Sequence, residues 1–148
     1  MRVAQPQANV RGEIATELLD ARVLITCMRG FVTAALCEAT FEEFRAHAAN
    51  TCGSPWIIET LAITGFQPGA VQVGARWFDV YKKQGGAQII MVSDMSAVRM
   101  AAATLAFAVH IKVSSYRTLA EAYAHAGVEP RPARPSIDPF PAPKSGVR

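Results

Sequence analysis

The chain has 148 residues, 51% of them apolar and 18% charged, with a net charge of +3 and a pI near 9.0. A single domain of this length buries roughly 65–70% of its unfolded surface, so it needs neither metal nor disulfide to hold a core. The charge is spread too evenly for a nucleic-acid surface, which wants a basic stripe with interleaved aromatics: through Val128 eleven Lys and Arg face ten Asp and Glu, and from Glu129 onward four face two.

Residues 1–12 are polar, contain Pro6 and read as an N-terminal arm or a short edge strand. Residues 13–19 can pair with the strand after them. Residues 22–28 are short, rich in β-branched side chains and followed by Arg29-Gly30, so they read as a buried strand closed by a turn. From 32 to 49 the apolar positions Val32, Leu36, Phe41, Phe44 and Ala48 recur at near-helical spacing, leaving Glu38, Glu42, Glu43 and Arg45 to solvent. The polar run Asn50-Thr51-Cys52-Gly53 stops that helix.

Residues 55–63 form the next predicted strand, ending in a turn, Thr64-Gly65-Phe66-Gln67-Pro68-Gly69. Pro68 suits a first helical turn, where its missing N–H is not needed. The helix it opens spans about 69–84, with Val73, Trp77, Val80 and Tyr81 on overlapping apolar faces and Gly85 as a left-handed cap. A strand at 87–92 comes next, then a helix at 95–108 capped by Ser93 or Asp94, with Val98, Ala101, Ala102 and Leu105 turned inward. Residues 110–116 are a short last strand opened by His110. Thr118 caps a final helix at 119–125, ended by Gly127.

Residues 128–148 hold six of the nine prolines and read as an extended tail with polyproline character. The domain proper is therefore expected at 13–127. Strands alternate with crossover helices, which predicts a mixed, mostly parallel α/β sheet of four or five strands with about four helices.

Chemistry-bearing clusters are sparse. Cys27, Cys37 and Cys52 are an odd set without a paired spacing, and each lies in or beside an apolar segment, so they read as reduced, packed thiols. No metal site is expected. His47 and His125 sit in the last turns of helices, where a cation suits the helix dipole. No nucleophile and base converge, and no phosphate loop or dinucleotide fingerprint is present, so neither an enzyme nor a cofactor is expected. Ser93, Asp94 and Ser96, with Arg99, are candidates for a phosphate or ligand site at a helix N-terminus. No apolar run approaches the ~20 residues of a membrane span, and no apolar signal segment opens the chain. The expectation is a cytoplasmic protein with no nucleic-acid partner and no membrane span.

Several stretches together carry a family resemblance. Gly65-Phe66 follows an apolar strand, and a helix of about sixteen residues then leads to Lys82-Lys83-Gln84-Gly85-Gly86 and a second apolar strand. Ser93-Asp94, Val98-Arg99-Met100 and Tyr116-Arg117-Thr118-Leu119-Ala120-Glu121-Ala122 complete the pattern. Over residues 15–126 this resembles a STAS domain, the family of the anti-sigma factor antagonists. In such antagonists the turn after the central strand carries an Asp, a Ser, a Ser or Thr and a Gly, whose hydroxyl a partner kinase phosphorylates to switch binding off. Gln67, Pro68, Gly69 and Ala70 stand on those four positions, and none bears a hydroxyl. The spacing from this turn to Gly85 is one residue shorter than the family's, which makes Thr64 the nearest substitute acceptor.

The resemblance implies a noncatalytic interaction module of bacterial signalling or scaffold type, lacking the usual switch. Its expected contact surface is Thr64, Phe66, Gln67, Pro68, Gly69 and Ala70, with Arg76 further along the helix. The expected partner is a kinase-like protein or a scaffold component, with self-association through edge strands or an exposed Trp77 as a further option. A second reading is a binder of a small apolar ligand or nucleotide, with Trp56, Trp77, Phe78 and Phe107 lining an internal pocket.

Overall fold

A computed structural model describes residues 11–20, 22–51 and 54–129. The strands are β1 (Glu13–Leu19), β2 (Val23–Val32), β3 (Trp56–Phe66), β4 (Gln88–Val92) and β5 (Lys112–Tyr116). The helices are α1 (Ala34–Ala48), α2 (Pro68–Lys83), α3 (Ser96–Ala108) and α4 (Leu119–Ala126). The five strands lie in sequence order; β1 is antiparallel to β2 and every other pair is parallel. This is the mixed, mostly parallel α/β sheet with four helices that the alternation predicts. Residues 1–10 and 130–148, and with them most of the expected arm and tail, lie outside the described residues, as does Cys52.

The strand order dictates the layers. Because the ladder advances one strand at a time in one direction, crossovers of one hand put every connecting helix on the same side. Buried side chains of α1, α2 and α3 accordingly share one core with Leu24, Trp56, Ile58, Ile89 and Met91. The alternate residues Val23, Ile25, Ile57, Ile90 and Val92 face the other way and pack with α4. Val128, first residue of the expected tail, is buried in this second core, and Arg22 Nη2 donates to the Gly127 carbonyl at 2.7 Å.

The first core is anchored by aromatics. The Phe44 ring stacks on Trp77 at 4.5 Å and lies 4.7 Å from Trp56, which also meets Phe78 and Tyr81 at 5.4 and 5.2 Å. Trp56 Nε1 donates to Thr26 Oγ1 at 2.9 Å, and Thr26 pairs with Thr16 at 3.0 Å, a buried polar chain across three strands. Trp77, expected on an apolar helix face and exposed only in the self-association option, is 3% exposed, because its position shares the inner face of α2 with Ala70, Val73, Phe78 and Tyr81.

Two glycines read as turns belong to strands. Arg29-Gly30 does not close β2, which continues to Val32 through irregular pairing on either side of Arg29 and Gly30. Gly30 has φ +75° there, and a Cβ would lie 2.5 Å from the Arg11 carbonyl oxygen. Gly65 likewise lies within β3, opposite Phe31, and a Cβ there would lie 3.2 Å from the Phe31 ring, close enough that the ring would have to shift slightly. α1 consequently starts later than expected, at Ala34, with Thr33 Oγ1 accepting from the Leu36 N–H at 3.0 Å.

His110 does not open the last strand. It ends α3 with φ +61°, its N–H bonded to the Phe107 carbonyl, while the Ile111 N–H reaches the Ala106 carbonyl at 2.9 Å. The same double closure, built on glycine, ends α2 at Gly85 and α4 at Gly127. A left-handed backbone costs a residue with a Cβ about 1–2 kcal/mol, partly offset by the greater freedom that glycine gives the unfolded chain. His110→Gly should therefore raise stability by about 0.5–1 kcal/mol, read as a higher urea midpoint at unchanged slope, whereas His110→Val should lower it.

Candidate functional site

The site is built at the carboxyl ends of the parallel strands, where β3 outruns β4. Pairing between them stops at Glu59 and Val92, but β3 continues along β2 to Phe66. The break is closed by side chains: Thr60 Oγ1 donates to the Val92 carbonyl at 2.8 Å, and Glu59 Oε2 accepts from the Leu61 N–H at 2.8 Å. Beyond it Leu61, Ala62 and Thr64 are exposed, and Ile63 and Phe66 are half-buried.

Thr64 and Phe66 thus lie in a strand, and the link from β3 to α2 is Gln67 alone. Gln67 is extended and precedes Pro68 at the first helical position. Its Oε1 accepts from the Ala34 N–H at 2.9 Å, tying the α2 entrance to the start of α1. Gly69 lies against Ala34, and Ala70 is buried. Neither α1 nor α2 has an acidic residue in its first turn, so two positive helix ends meet here without a carboxylate. Arg76 is not a free cation: its Nη1 lies 2.9 and 3.0 Å from the two Glu38 oxygens, and its guanidinium sits 4.6 Å above the Phe41 ring.

Behind the edge is a cavity of about 110 Å³. Ile58, Ile63 and Phe66 of β3 line it on one side, and Phe78, Ala102 and Leu105 of α2 and α3 on the other. Thr60 is the hydroxyl in its wall, and that hydroxyl is spent on Val92. Of the four aromatics expected to line a pocket, Phe78 does so. Trp56 and Trp77 belong to the packed aromatic cluster, and Phe107 is 81% exposed because the small residues Val98, Ala102 and Ala106 form the inner stripe of α3.

Ser93, Asp94, Ser96 and Arg99 share one loop and helix start. Ser93 is fully buried, its Oγ accepting from the Met95 N–H at 3.0 Å, while Arg99 Nη1 donates to the Ser93 carbonyl at 3.1 Å. Asp94 and Ser96 face solvent. Met95, rather than Ser93 or Asp94, occupies the cap position of α3. His125, elsewhere on α4, has Nδ1 at 2.5 Å from the Tyr116 hydroxyl and Nε2 at 2.6 Å from Gln88 Nε2.

The residues that the sequence reading passed over are Glu59, Thr60 and Ala62. Their one available signal was a carboxylate in an otherwise apolar strand. Cys37, which also lines the cavity, is a packed thiol: burial, with the Glu38 carboxylate adding, pushes it up to about 11. Burial likewise pushes the Tyr81 phenol up to about 12.

No protein-family model matches this sequence, and none of the curated proteins is similar to it. Solved structures are similar in fold, two of them as follows. One is an uncharacterised protein of the DUF3478 family with a SpoIIAA-like fold from Shewanella loihica PV-4, with TM-score 0.58 and 11% identity over 78% of this chain and 93% of that one. The other is an anti-sigma factor antagonist from Mycobacterium paratuberculosis, with TM-score 0.57 and 14% identity over 84% and 99%.

The raised thiol gives a pH prediction. A group whose folded pKa lies above its unfolded value contributes stability that is complete below the unfolded value and lost as pH rises to the folded one. For Cys37 that window runs from 9.0 to about 11, and Tyr81 follows from 10.0 to about 12. Urea unfolding of the parent should therefore weaken from about pH 9, while Cys37→Ala, though less stable throughout, should stay level until Tyr81 begins to titrate.

The architecture shared with both structures is the one that strand order and layering define: the chain has the fold of a STAS-like domain.

Proposed function

We propose that this chain is a noncatalytic protein-interaction module of bacterial signalling or scaffold type, which binds a protein partner through the carboxyl edge of its sheet. The contact surface is Thr64, Gln67 and Pro68, with Gly69 and the Arg76–Glu38 pair beside them. One observation carries this reading. The α2 entrance, where a STAS antagonist would hold its phosphorylated hydroxyl, carries none, and the Gln67 side chain there is already bonded to α1.

A phosphate would add nearly two negative charges at this helix end. With no acceptor on the four aligned positions, the module binds its partner constitutively or is regulated through another component of its assembly. The pocket reading has less support for a nucleotide, which needs polar partners that an apolar cavity does not supply. Trp77-mediated self-association is set aside because that ring is buried.

Gln67→Glu is the cleanest test of the contact surface. The carboxylate can still accept from the Ala34 N–H, and it complements two positive helix ends, so the fold should keep its stability or gain about 0.3–1 kcal/mol. A partner isolated from the native cell should bind this variant at least tenfold more weakly in calorimetry. Unchanged affinity would move the contact surface to another face. Gly69→Asp is the poorer probe, since a Cβ there already lies 3.4 Å from Ala34 Cβ.

A further inference from the structure

Among the described residues the sheet ends at β5, which pairs with β4 alone. A strand in a parallel ladder turns the main-chain groups of alternate residues toward its neighbour. The Lys112 N–H reaches the Ala87 carbonyl at 3.3 Å and the Tyr116 carbonyl accepts from the Ser93 N–H at 3.1 Å, so Lys112, Ser114 and Tyr116 address β4. Val113 and Ser115 therefore turn their N–H and C=O groups to the open side. The register with β4 is regular and β5 holds no proline, so two of the usual guards against edge pairing, a bulge and a proline, are absent.

The helix beside that edge is α3. Its residues Val98, Ala101 and Leu105 line the cavity shared with α2, and Leu105 lies against Gly74. At about 100° per residue, Met100, Ala103 and Phe107 then occupy the outer flank on the side away from α2, which is the side of the open β5 edge. All three are exposed, Met100 by 68% and Phe107 by 81%, and they repeat at the four-and-three spacing of a helix-pairing seam. The charged residue of α3, Arg99, is turned back on the Ser93 carbonyl, so this flank carries no charge of either sign.

We propose that this side of the molecule is the interface of a two-fold symmetric homodimer, in which β5 pairs antiparallel with β5 of a second copy and α3 packs antiparallel on its counterpart. Symmetry selects the occupant, because an isologous contact needs a surface that matches itself after a half-turn. Val113 and Ser115 flank Ser114 evenly, so an axis at Ser114 joins each Val113 to the opposite Ser115 through main-chain hydrogen bonds. Met100 and Phe107 fall three residues before and four after Ala103, so the same half-turn sets each Met100 against the opposite Phe107, with the small Ala103 at the crossing. Both centres lie at one height: the 13 residues of α3, at about 1.5 Å each, run back beside the five of β5, at about 3.3 Å, and lead into them. Charge agrees. Exposed Lys82 and Lys112 lie at the amino end of this side, and exposed Asp94, Glu121 and Arg117 at its carboxyl end, so the half-turn brings a net positive end against a net negative one. One helix and one strand deep, the contact falls in the class below ~1,200 Å² in total, which makes the dimer a weak one. The surface lies across β4 from Gln67 and Pro68 and is independent of the partner face proposed above.

Sedimentation equilibrium of the full chain tests this. A monomer–dimer equilibrium with a Kd of about 1–100 µM is expected. Phe107→Glu puts a carboxylate into the seam at a position exposed in the monomer, so it should weaken the dimer at least tenfold and leave the urea midpoint of the dilute chain unchanged. Adding Met100→Lys to it sets an ammonium against each new carboxylate and should recover most of that loss, a rescue specific to the antiparallel arrangement. The Val113 and Ser115 amides should exchange hydrogen more slowly at high protein concentration than at low. At the axis the two Ser114 Cα atoms would stand about 4.5 Å apart, within the reach of a disulfide. In a Cys52→Ser background, Ser114→Cys should therefore cross-link to a covalent dimer under copper–phenanthroline, and Ser115→Cys, set two residues out of register, should not. A chain still monomeric at about 1 mM, a dimer that Phe107→Glu weakens less than twofold, or assembly that grows beyond the dimer would each overturn the proposal. Cross-linking of Ser115→Cys in preference to Ser114→Cys would do the same.

Discussion

The feature on which the site depends is the parting of β3 from β4 after Glu59. Parallel strands that separate leave amides and carbonyls without their ladder partners, and a buried group left unsatisfied costs about 1–3 kcal/mol. Here the Thr60 hydroxyl takes the Val92 carbonyl and the Glu59 carboxylate takes the Leu61 N–H. Those two bonds allow β4 to turn away at Ser93 into α3 while β3 runs on beside β2. The cavity lies between the diverging elements, and the exposed strand edge forms its rim.

The cavity half of the core is lined differently from the other half. Around Trp56 five rings fill the space between sheet and helices. Beside Met91 the helices present Ala70, Gly74, Ala101 and Ala102 instead. The core is thus divided into a tight aromatic half that holds the fold and a looser half that adjoins the edge.

Much of this was legible in the sequence because the core elements obey their periods. Residues 55–63 and 87–92 read as strands from β-branched content, and α2 is marked at its two ends by Pro68 and Gly85. The errors fall on residues whose roles are set by distant neighbours. Gly30 and Gly65 resemble turn glycines, but the first is required by the approach of Arg11 and the second lies in a strand against the Phe31 ring. His110 resembles a strand opener since nothing local marks it as a helix end. On α3 the inward turn of Val98, Ala102 and Leu105 was legible, whereas Phe107, expected to line a pocket, lies on the outer face. The continuation of this strand from Thr64 to Phe66, expected as a turn, was illegible for the same reason: its length is set by pairing with β2, which no local pattern records.

The electrostatics of the edge bear on what it can recognise. Arg76 is neutralised by Glu38, Lys83 lies 2.9 Å from Asp79, and Arg99 is turned back on the Ser93 carbonyl. What positive character remains near Gln67 comes from the ends of α1 and α2, and such fields fade within a turn and are screened by salt within about 8 Å. Long-range steering of an acidic partner is therefore weak, as the near-neutral body of the chain also implies.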